Sequence, residues 1–276
     1  MLELEHEFRI VDVHVRLQTD AGSRARVVSP DQLERELHQA GIMQAVVFPE
    51  TDPDGEYLAA NNAAARRSVE RPFVAFARIS GGRSIEGSRL DGVRRRLGRT
   101  GHAETTPDEI EKYGYDDRFH GFVLDPAADG LPGEGVLERL EDVGLPVIVS
   151  GGVAAPPAEL AETLLDRSFP VVVAHFGGYP LDVSLMNETI DLLGRYDGTY
   201  VDTSFVRFRE PLERALLEHP DRVLFGSGSP AAHPNVAVME ILTLDVSEDK
   251  LWRAFSKNAA RVIDVLKPPE RAERPS

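Results

Sequence analysis

The 276-residue chain contains no cysteine. Disulfides, thiolate metal ligands and cysteine nucleophiles are therefore excluded together. Lysine is nearly missing as well: Lys112, Lys250, Lys257 and Lys267 are the only ones, so arginine supplies almost all positive charge. No run of 18 or more apolar residues occurs, and no membrane-spanning helix is expected. Met1-Leu2-Glu3-Leu4-Glu5-His6 lacks a basic stretch followed by an apolar one, so no secretory signal is expected and the expected location is cytoplasmic. Positive charge is in deficit overall, with a net charge of −15. Such a chain repels nucleic acid and anionic membranes, and neither is an expected partner. The acid-rich, lysine-poor composition resembles that of proteins from salt-loaded cytoplasm. There the Debye length falls to about 3 Å near 1 M salt and self-repulsion is screened. An ordinary acidic protein carries similar counts.

What is present is a regular alternation. Hydrophobic residues make up 42% of the chain, enough for one large α/β core. Strands are expected at Phe8 to Val15, Gln44 to Phe48, Phe73 to Ile79, Gly121 to Leu124, Leu145 to Val149, Pro170 to Ala174, Thr199 to Thr203 and Arg222 to Phe225. Between them lie expected helices. One opens with the N-cap Ser29 and Pro30 and stops at Gly41. Others run over Glu56 to Val69, Ile85 to Leu97, Glu134 to Val143, Pro157 to Arg167, Leu185 to Tyr196 and Pro211 to Glu218, with one or two closing helices in Ser247 to Leu266. The segment from Leu97 to Phe119, rich in Gly, Thr and Tyr, reads as a loop. Eight strands alternating with helices over about 250 residues predict a single-domain (β/α)8 TIM barrel over 1–266. The tail 267–276 reads as disordered. A doubly wound sheet is the alternative, weakened because no Gly-x-Gly-x-x-Gly turn follows the first strand.

The motifs fall in a recognisable order. Ile10-Val11-Asp12-Val13-His14 ends the first strand. Ala40-Gly41-Ile42 and Ala45-Val46-Val47-Phe48-Pro49 lead through the second. Gly121-Phe122-Val123-Leu124-Asp125-Pro126, Gly144-Leu145-Pro146-Val147-Ile148-Val149, Val173-Ala174-His175-Phe176-Gly177-Gly178 and Tyr200-Val201-Asp202-Thr203-Ser204 follow. Leu224-Phe225-Gly226-Ser227-Gly228-Ser229-Pro230 and Asn258-Ala259-Ala260 close the series. In this order they resemble the amidohydrolase-related family, the branch that includes small-acid decarboxylases, lactone hydrolases and hydratases. The likeness covers roughly residues 8 to 266.

That resemblance implies a divalent metal, zinc or manganese, at the C-terminal mouth of the barrel, activating water or polarising a substrate oxygen. Carried over by position, this chain keeps His14 and His175. Arg16 stands at the second His of the first strand, Ser150 at the fifth-strand His and Gly228 at the eighth-strand Asp that would serve as general base. A catalytic zinc keeps about three protein ligands. Arginine cannot shed its proton, and a guanidinium about 4 Å from a divalent ion repels it by very roughly 8 kcal/mol at an effective dielectric of about 20. The expectation is therefore no cofactor, with a site rebuilt from His14, His175 and either Asp202 or Glu50 as the alternative.

The remaining candidates carry two readings each. Arg16, placed on one face with Asp12 and His14 by period two, either grips a ligand carboxylate or pairs internally with Asp12, Glu50 or Asp202. His14 and His175 are acid/base residues or ligands, or else hydrogen-bonded packing residues of the mouth; Asp202 is carried as a catalytic candidate with them. Arg78 either joins Arg16 in an anion pocket or forms a surface pair. Asp12 reads as structural and Asp125 as a loop start. Ser150 lacks an activating histidine and acid. Ser227 only superficially resembles a phosphate turn. The run Arg94-Arg95-Arg96 with Arg99 touches an acidic partner or is a solvated helix face. The loop Thr100 to Arg118, with His102, Tyr113 and Tyr115, is a lid or a plain insertion. Two functions follow. One is a barrel acting on a small anionic organic substrate, with Arg16 as anchor and His175 or His14 as acid/base. The other is a catalytically dead barrel that senses a ligand, forms a homo-oligomer or stabilises a protein partner.

Overall fold

The computed structural model describes residues 6–17, 28–51, 57–82 and 104–267. The helix expected at Ile85 to Leu97, the arginine run 94–99, His102 and the tail beyond Lys267 lie outside the described residues.

Eight parallel strands form one sheet in the order of the chain. They are β1 (Ile10–Leu17), β2 (Ile42–Pro49), β3 (Phe73–Arg78), β4 (Phe119–Leu124), β5 (Val147–Gly152), β6 (Val171–Tyr179), β7 (Thr199–Asp202) and β8 (Val223–Leu224). Backbone bonds from Val13 N to Phe225 O (2.9 Å), Gly228 N to His14 O (3.1 Å) and Arg16 N to Ser229 O (2.8 Å) join the end of β8 back to β1. The sheet is thus a (β/α)8 barrel, and the doubly wound alternative falls because its strand order would have to reverse.

Alternation along the strands divides the core in two. Val46, Phe48, Val74, Phe76, Ile148, Val172 and Leu224 fill the barrel, with Ala259, Val262 and Ile263 of the closing helices packed against them. Ala45, Val47, Phe122, Val147, Val171 and Val173 face the helices. Both faces of a parallel strand are buried, which is why β6 reads as nearly continuous valine.

Interleaved helices are α1 (Pro30–Gln39), α2 (Leu58–Ser68), α3 (Pro107–Gly114), α4 (Pro126–Asp129) and α5 (Glu134–Val143). Then come α6 (Pro157–Leu160), α7 (Val183–Leu193), α8 (Arg209–Glu218), α9 (Pro234–Leu242), α10 (Glu248–Trp252) and α11 (Asn258–Val262). Ser29 caps α1 by accepting from Gln32 N at 3.2 Å. Gly144 ends α5 in the left-handed conformation, φ 69°, which its missing Cβ makes easy.

Besides the single turn α4, which follows Asp125 where a loop was expected, two longer helices differ from the sequence reading. The stretch before Phe119 is not all loop: it contains α3, because Thr106-Pro107-Asp108-Glu109 closes a capping box. Thr106 N donates to Glu109 Oε2 at 2.8 Å, and Glu109 N donates to Thr106 Oγ1 at 3.3 Å. The second is α9, which opens on His233-Pro234 and was not foreseen. Among the described residues no helix is long and apolar enough to cross a membrane.

Candidate functional site

Both histidines reach the mouth through breaks in strand regularity. In β1, Val11 and Val13 point into the barrel, so strict alternation would send His14 outward. The β1–β2 register slips between Asp12 and Val15. This extra residue restarts the alternation and turns His14 in, while Val15 and Leu17 join the outer core. In β6, Val172 and Ala174 face in, and His175 would face out. Instead its backbone takes φ 60°, with Phe176 at 50°. A left-handed residue other than glycine costs about 1–2 kcal/mol, and such strain gathers at sites that need a side chain aimed.

The slip corrects the period-two argument for β1. Arg16 shares its face with His14, but Asp12 precedes the slip and lies on the other phase. Its Oδ1 accepts from His14 N at 3.0 Å and from Ser227 N at 2.9 Å. Asp12 therefore ties β1 to the turn after β8, as a structural residue. Its Oδ2 is buried without a partner. Burial, helped by the charge of Asp202, pushes the carboxyl up to about 7 against the bonds from Ser227 and His14.

Asp202, at the end of β7, organises the floor of the mouth. Its Oδ2 accepts from His14 Nδ1 at 2.9 Å. Its Oδ1 accepts from His175 N at 3.1 Å, Ser204 N at 2.9 Å and Ser204 Oγ. Burial pushes this carboxylate up, but the charge and hydrogen bond of His14, the charge of His175 and the Ser204 hydroxyl hold it well below the usual range. His175 Nδ1 donates to Ser204 O at 3.1 Å. Burial, with the neighbouring His14, lowers the His175 imidazole to about 3. The two rings lie 4.9 Å apart. His14 meets Phe48 edge-on at 5.1 Å, and His175 packs on Tyr179 and Phe205 at 5.1 and 5.3 Å. Ligand-type atoms of His14, His175 and Asp202 all lie within 4.8 Å of one another.

Arg16 projects beside this floor. Among the described residues it forms no ion pair, with Asp12, Glu50, Asp202 or any other carboxylate, and its Nε is buried without a partner. Burial and the charge of Arg78 lower its pKa; Asp125, Tyr179 and Glu50 act the other way. Arg78 is buried, not at the surface. It donates to Asp129 Oδ2 from Nε (3.2 Å) and Nη2 (3.0 Å), stacks over Tyr57 at 5.2 Å, and has Asp125 Oδ2 3.6 Å away. Asn61 brackets it, accepting from Arg78 N at 2.8 Å and donating to Arg78 O at 2.9 Å.

The other candidates are engaged locally. Asp125 caps α4 by accepting from Ala127 N at 3.1 Å. Ser227 Oγ donates to Ser229 Oγ at 2.9 Å and accepts from Ser229 N at 3.0 Å, so the turn is tied to itself. Ser150 is partly buried on β5 and pairs by backbone with Ala174. Gly228 is left-handed, φ 74°, and a Cβ there would stand 2.7 Å from the Phe205 ring. Sequence reasoning missed Asp129 and Asn61, which fix Arg78, and Tyr179 and Phe205, which flank His175. An aromatic at a strand end or in a loop carries no periodic signal, so only the place of Tyr179 at the end of β6 and of Phe205 after β7 hinted at the mouth.

No curated protein matches the chain. Among solved structures, an uncharacterised TIM-barrel protein from Bordetella bronchiseptica superposes with TM-score 0.65 at 19% identity, covering 94% of this chain and 99% of that one. The 2,6-dihydroxybenzoate decarboxylase from Rhizobium gives 0.64 at 15%, with coverage of 94% and 99%. The 5-carboxyvanillate decarboxylase of Novosphingobium aromaticivorans, complexed with manganese and 4-hydroxy-3-methoxy-5-nitrobenzoic acid, gives 0.61 at 11%, covering 94% and 97%. At these identities the likeness is one of fold. The family model Amidohydro_2, described as amidohydrolase, matches residues 11–265. A match over nearly the whole barrel settles the ancestry: the chain belongs to the amidohydrolase family.

Proposed function

We propose that the barrel mouth binds a small organic carboxylate through Arg16, without a resident metal, and with metal-independent hydrolysis or none. The observation that carries this is the Arg16 guanidinium, unpaired among the described residues, with its Nε buried and a second arginine nearby. A half-buried guanidinium with no ion pair is less favourable than a paired one, and a bidentate carboxylate would relieve it. Relatives with this fold hold aromatic acids, which agrees with the class of ligand.

The donor set argues against a resident divalent ion. Asp202 already accepts four hydrogen bonds, three of them at Oδ1, so only Oδ2, held by His14 Nδ1, keeps a lone pair for a metal. The set is then two imidazole nitrogens and one shared carboxylate oxygen, the bare minimum of the roughly three protein ligands of a catalytic zinc, beside a cation that cannot shed its proton. A conjugate acid near 3 also makes His175 a poor general base at neutral pH.

A second reading keeps the family chemistry: a metal-dependent hydrolase or decarboxylase rebuilt around His14, His175 and Asp202. Its support is His14 Nε2, buried and without a partner, in a ring oriented by a carboxylate as metal-bound imidazoles commonly are. Elemental mass spectrometry of protein purified without chelator separates the two. The carboxylate reading expects no stoichiometric zinc or manganese, even after incubation with excess. About one equivalent, lost in a His14→Ala/His175→Ala variant, would overturn it in favour of the second.

A further inference from the structure

Exposed apolar side chains gather on one side of the mouth. Val153, in the turn after β5, is 54% exposed, and Tyr179, closing β6, and Leu181, two residues on, are each 51% exposed. The backbone brings them together. Val153 N donates to Tyr179 O at 3.0 Å, and Asp182 N donates to Gly178 O at 2.7 Å, closing the turn that carries Leu181. Gly152 also pairs with Tyr179 across the two strands. Both strand ends lie at the C-terminal face, where barrels bind their ligands, so the three residues form an apolar lip. Tyr179 joins this lip to the floor. Its ring packs on His175 at 5.1 Å and stands edge-on to Phe205 at 6.3 Å, and its phenol is near enough to act on the Arg16 charge. Polarity thus runs one way, from a guanidinium with no ion pair among the described residues, past aromatic rings, to exposed aliphatic side chains.

We propose that the acid taken by this mouth carries an aliphatic chain of several carbons, with its carboxylate on Arg16 and its chain running past Tyr179 onto Val153 and Leu181. The inference rests on the carboxylate reading above and names the class of acid. A short acid would leave the lip in water. A rigid aromatic acid cannot bend from the floor onto the lip, whereas a flexible chain can, and each methylene laid there removes apolar surface from water. A second copy of this chain is a poorer occupant, because each copy carries a net charge of −15 and two such faces repel. An acid brings one negative charge, and brings it to Arg16.

The test is isothermal titration of the intact protein at neutral pH with straight-chain acids from butyrate to decanoate. Contact on one side buries about half of each methylene, so affinity should rise about twofold per added carbon over several successive acids. The heat-capacity change of binding should grow more negative along the series. In a Val153→Ser/Leu181→Ser variant, altered only at exposed positions, that slope should flatten. Equal affinity along the series overturns the chain inference and leaves the carboxylate reading standing. A slope that survives in the variant overturns it by placing the chain elsewhere. Tighter binding of benzoate or phenylacetate than of octanoate overturns it in favour of a flat ring. A dimer in sedimentation that the variant dissociates overturns it in favour of a second copy on the lip. No binding by any of these acids overturns both readings.

Discussion

The ring of Phe205 occupies the space into which a side chain on Gly228 would grow: a Cβ at 228 would lie 2.7 Å from one ring carbon and 2.8 Å from the next. Both residues have positive φ, 57° at Phe205 and 74° at Gly228. The pair is a joint solution, in which an aromatic ring stands where the eighth strand would otherwise present a side chain.

Gly228→Ala should therefore destabilise twice over. The left-handed backbone costs an alanine about 1–2 kcal/mol, and the ring overlap adds about 1–3 kcal/mol. A combined loss near 3 kcal/mol is expected in urea unfolding. Phe205→Ala in the same chain should recover the overlap but not the backbone part. A double-mutant cycle with no coupling between 205 and 228 would refute the joint account.

Arg16→Met should separate binding from stability. It removes an unpaired cation from a partly buried place, so stability should hold or rise by about 1 kcal/mol. Carboxylate affinity should fall by about tenfold to a hundredfold, as befits a lost charge-assisted contact. A clear loss of stability in unfolding experiments would mean that Arg16 is an internal strut.

Arg78 predicts the opposite. Its guanidinium is the counter-ion of buried Asp129, whose carboxyl burial already pushes up. Arg78→Met should cost about 3–5 kcal/mol at neutral pH by stranding that charge. The loss should shrink in acid, because a carboxyl with a raised folded pKa is easier to accommodate once protonated. Thermal melts of both proteins across acidic and neutral pH would show it; a loss independent of pH would point to packing instead.

Asp12 makes a pH prediction whose sign is fixed. Its folded value of about 7 lies above the ordinary 3.8, so the folded chain holds this proton longer than the unfolded one. Stability from this group is fully present below about pH 4 and is lost as pH rises to about 7. Asp12→Asn keeps an oxygen acceptor for the amides of His14 and Ser227 without the charge. Its advantage over the parent should be absent near pH 4, grow to neutrality and amount to a few kcal/mol there. His175 works in the other direction. Folded near 3 against 6.5 unfolded, it contributes stability above pH 6.5 that is lost as pH falls toward 3. Urea midpoints against pH for both chains would test the assignment, and a constant difference would refute it.

The barrel was legible because its signals are local and repeated: β6 is a buried valine run, and Ser29-Pro30 and Gly144 mark helix ends. Thr106-Pro107-Asp108-Glu109 carried an equally local signal, but it sat inside a Gly- and Thr-rich stretch whose composition argued for loop. The site was less legible for a different reason. That His14 and Asp202 meet across β1 and β7 follows from barrel closure. The register slip that aims His14, the left-handed backbone at His175 and the ring of Phe205 over Gly228 are decided by tertiary fit, and residue type announces none of them. Arg78 shows the same limit: its sequence neighbours say nothing of Asp129, fifty-one residues away.

Asp202 receives the side chain of His14 and the main chain of His175 and Ser204, so one carboxylate clamps the ends of three strands. Loops over a barrel mouth are ordinarily the part of the fold that opens most easily. Here the amide protons of His175 and Ser204 point into a buried, ionised acceptor. They should exchange with deuterium as slowly as those in the middle of β6. A ligand entering this mouth would meet a floor already rigid before it arrives.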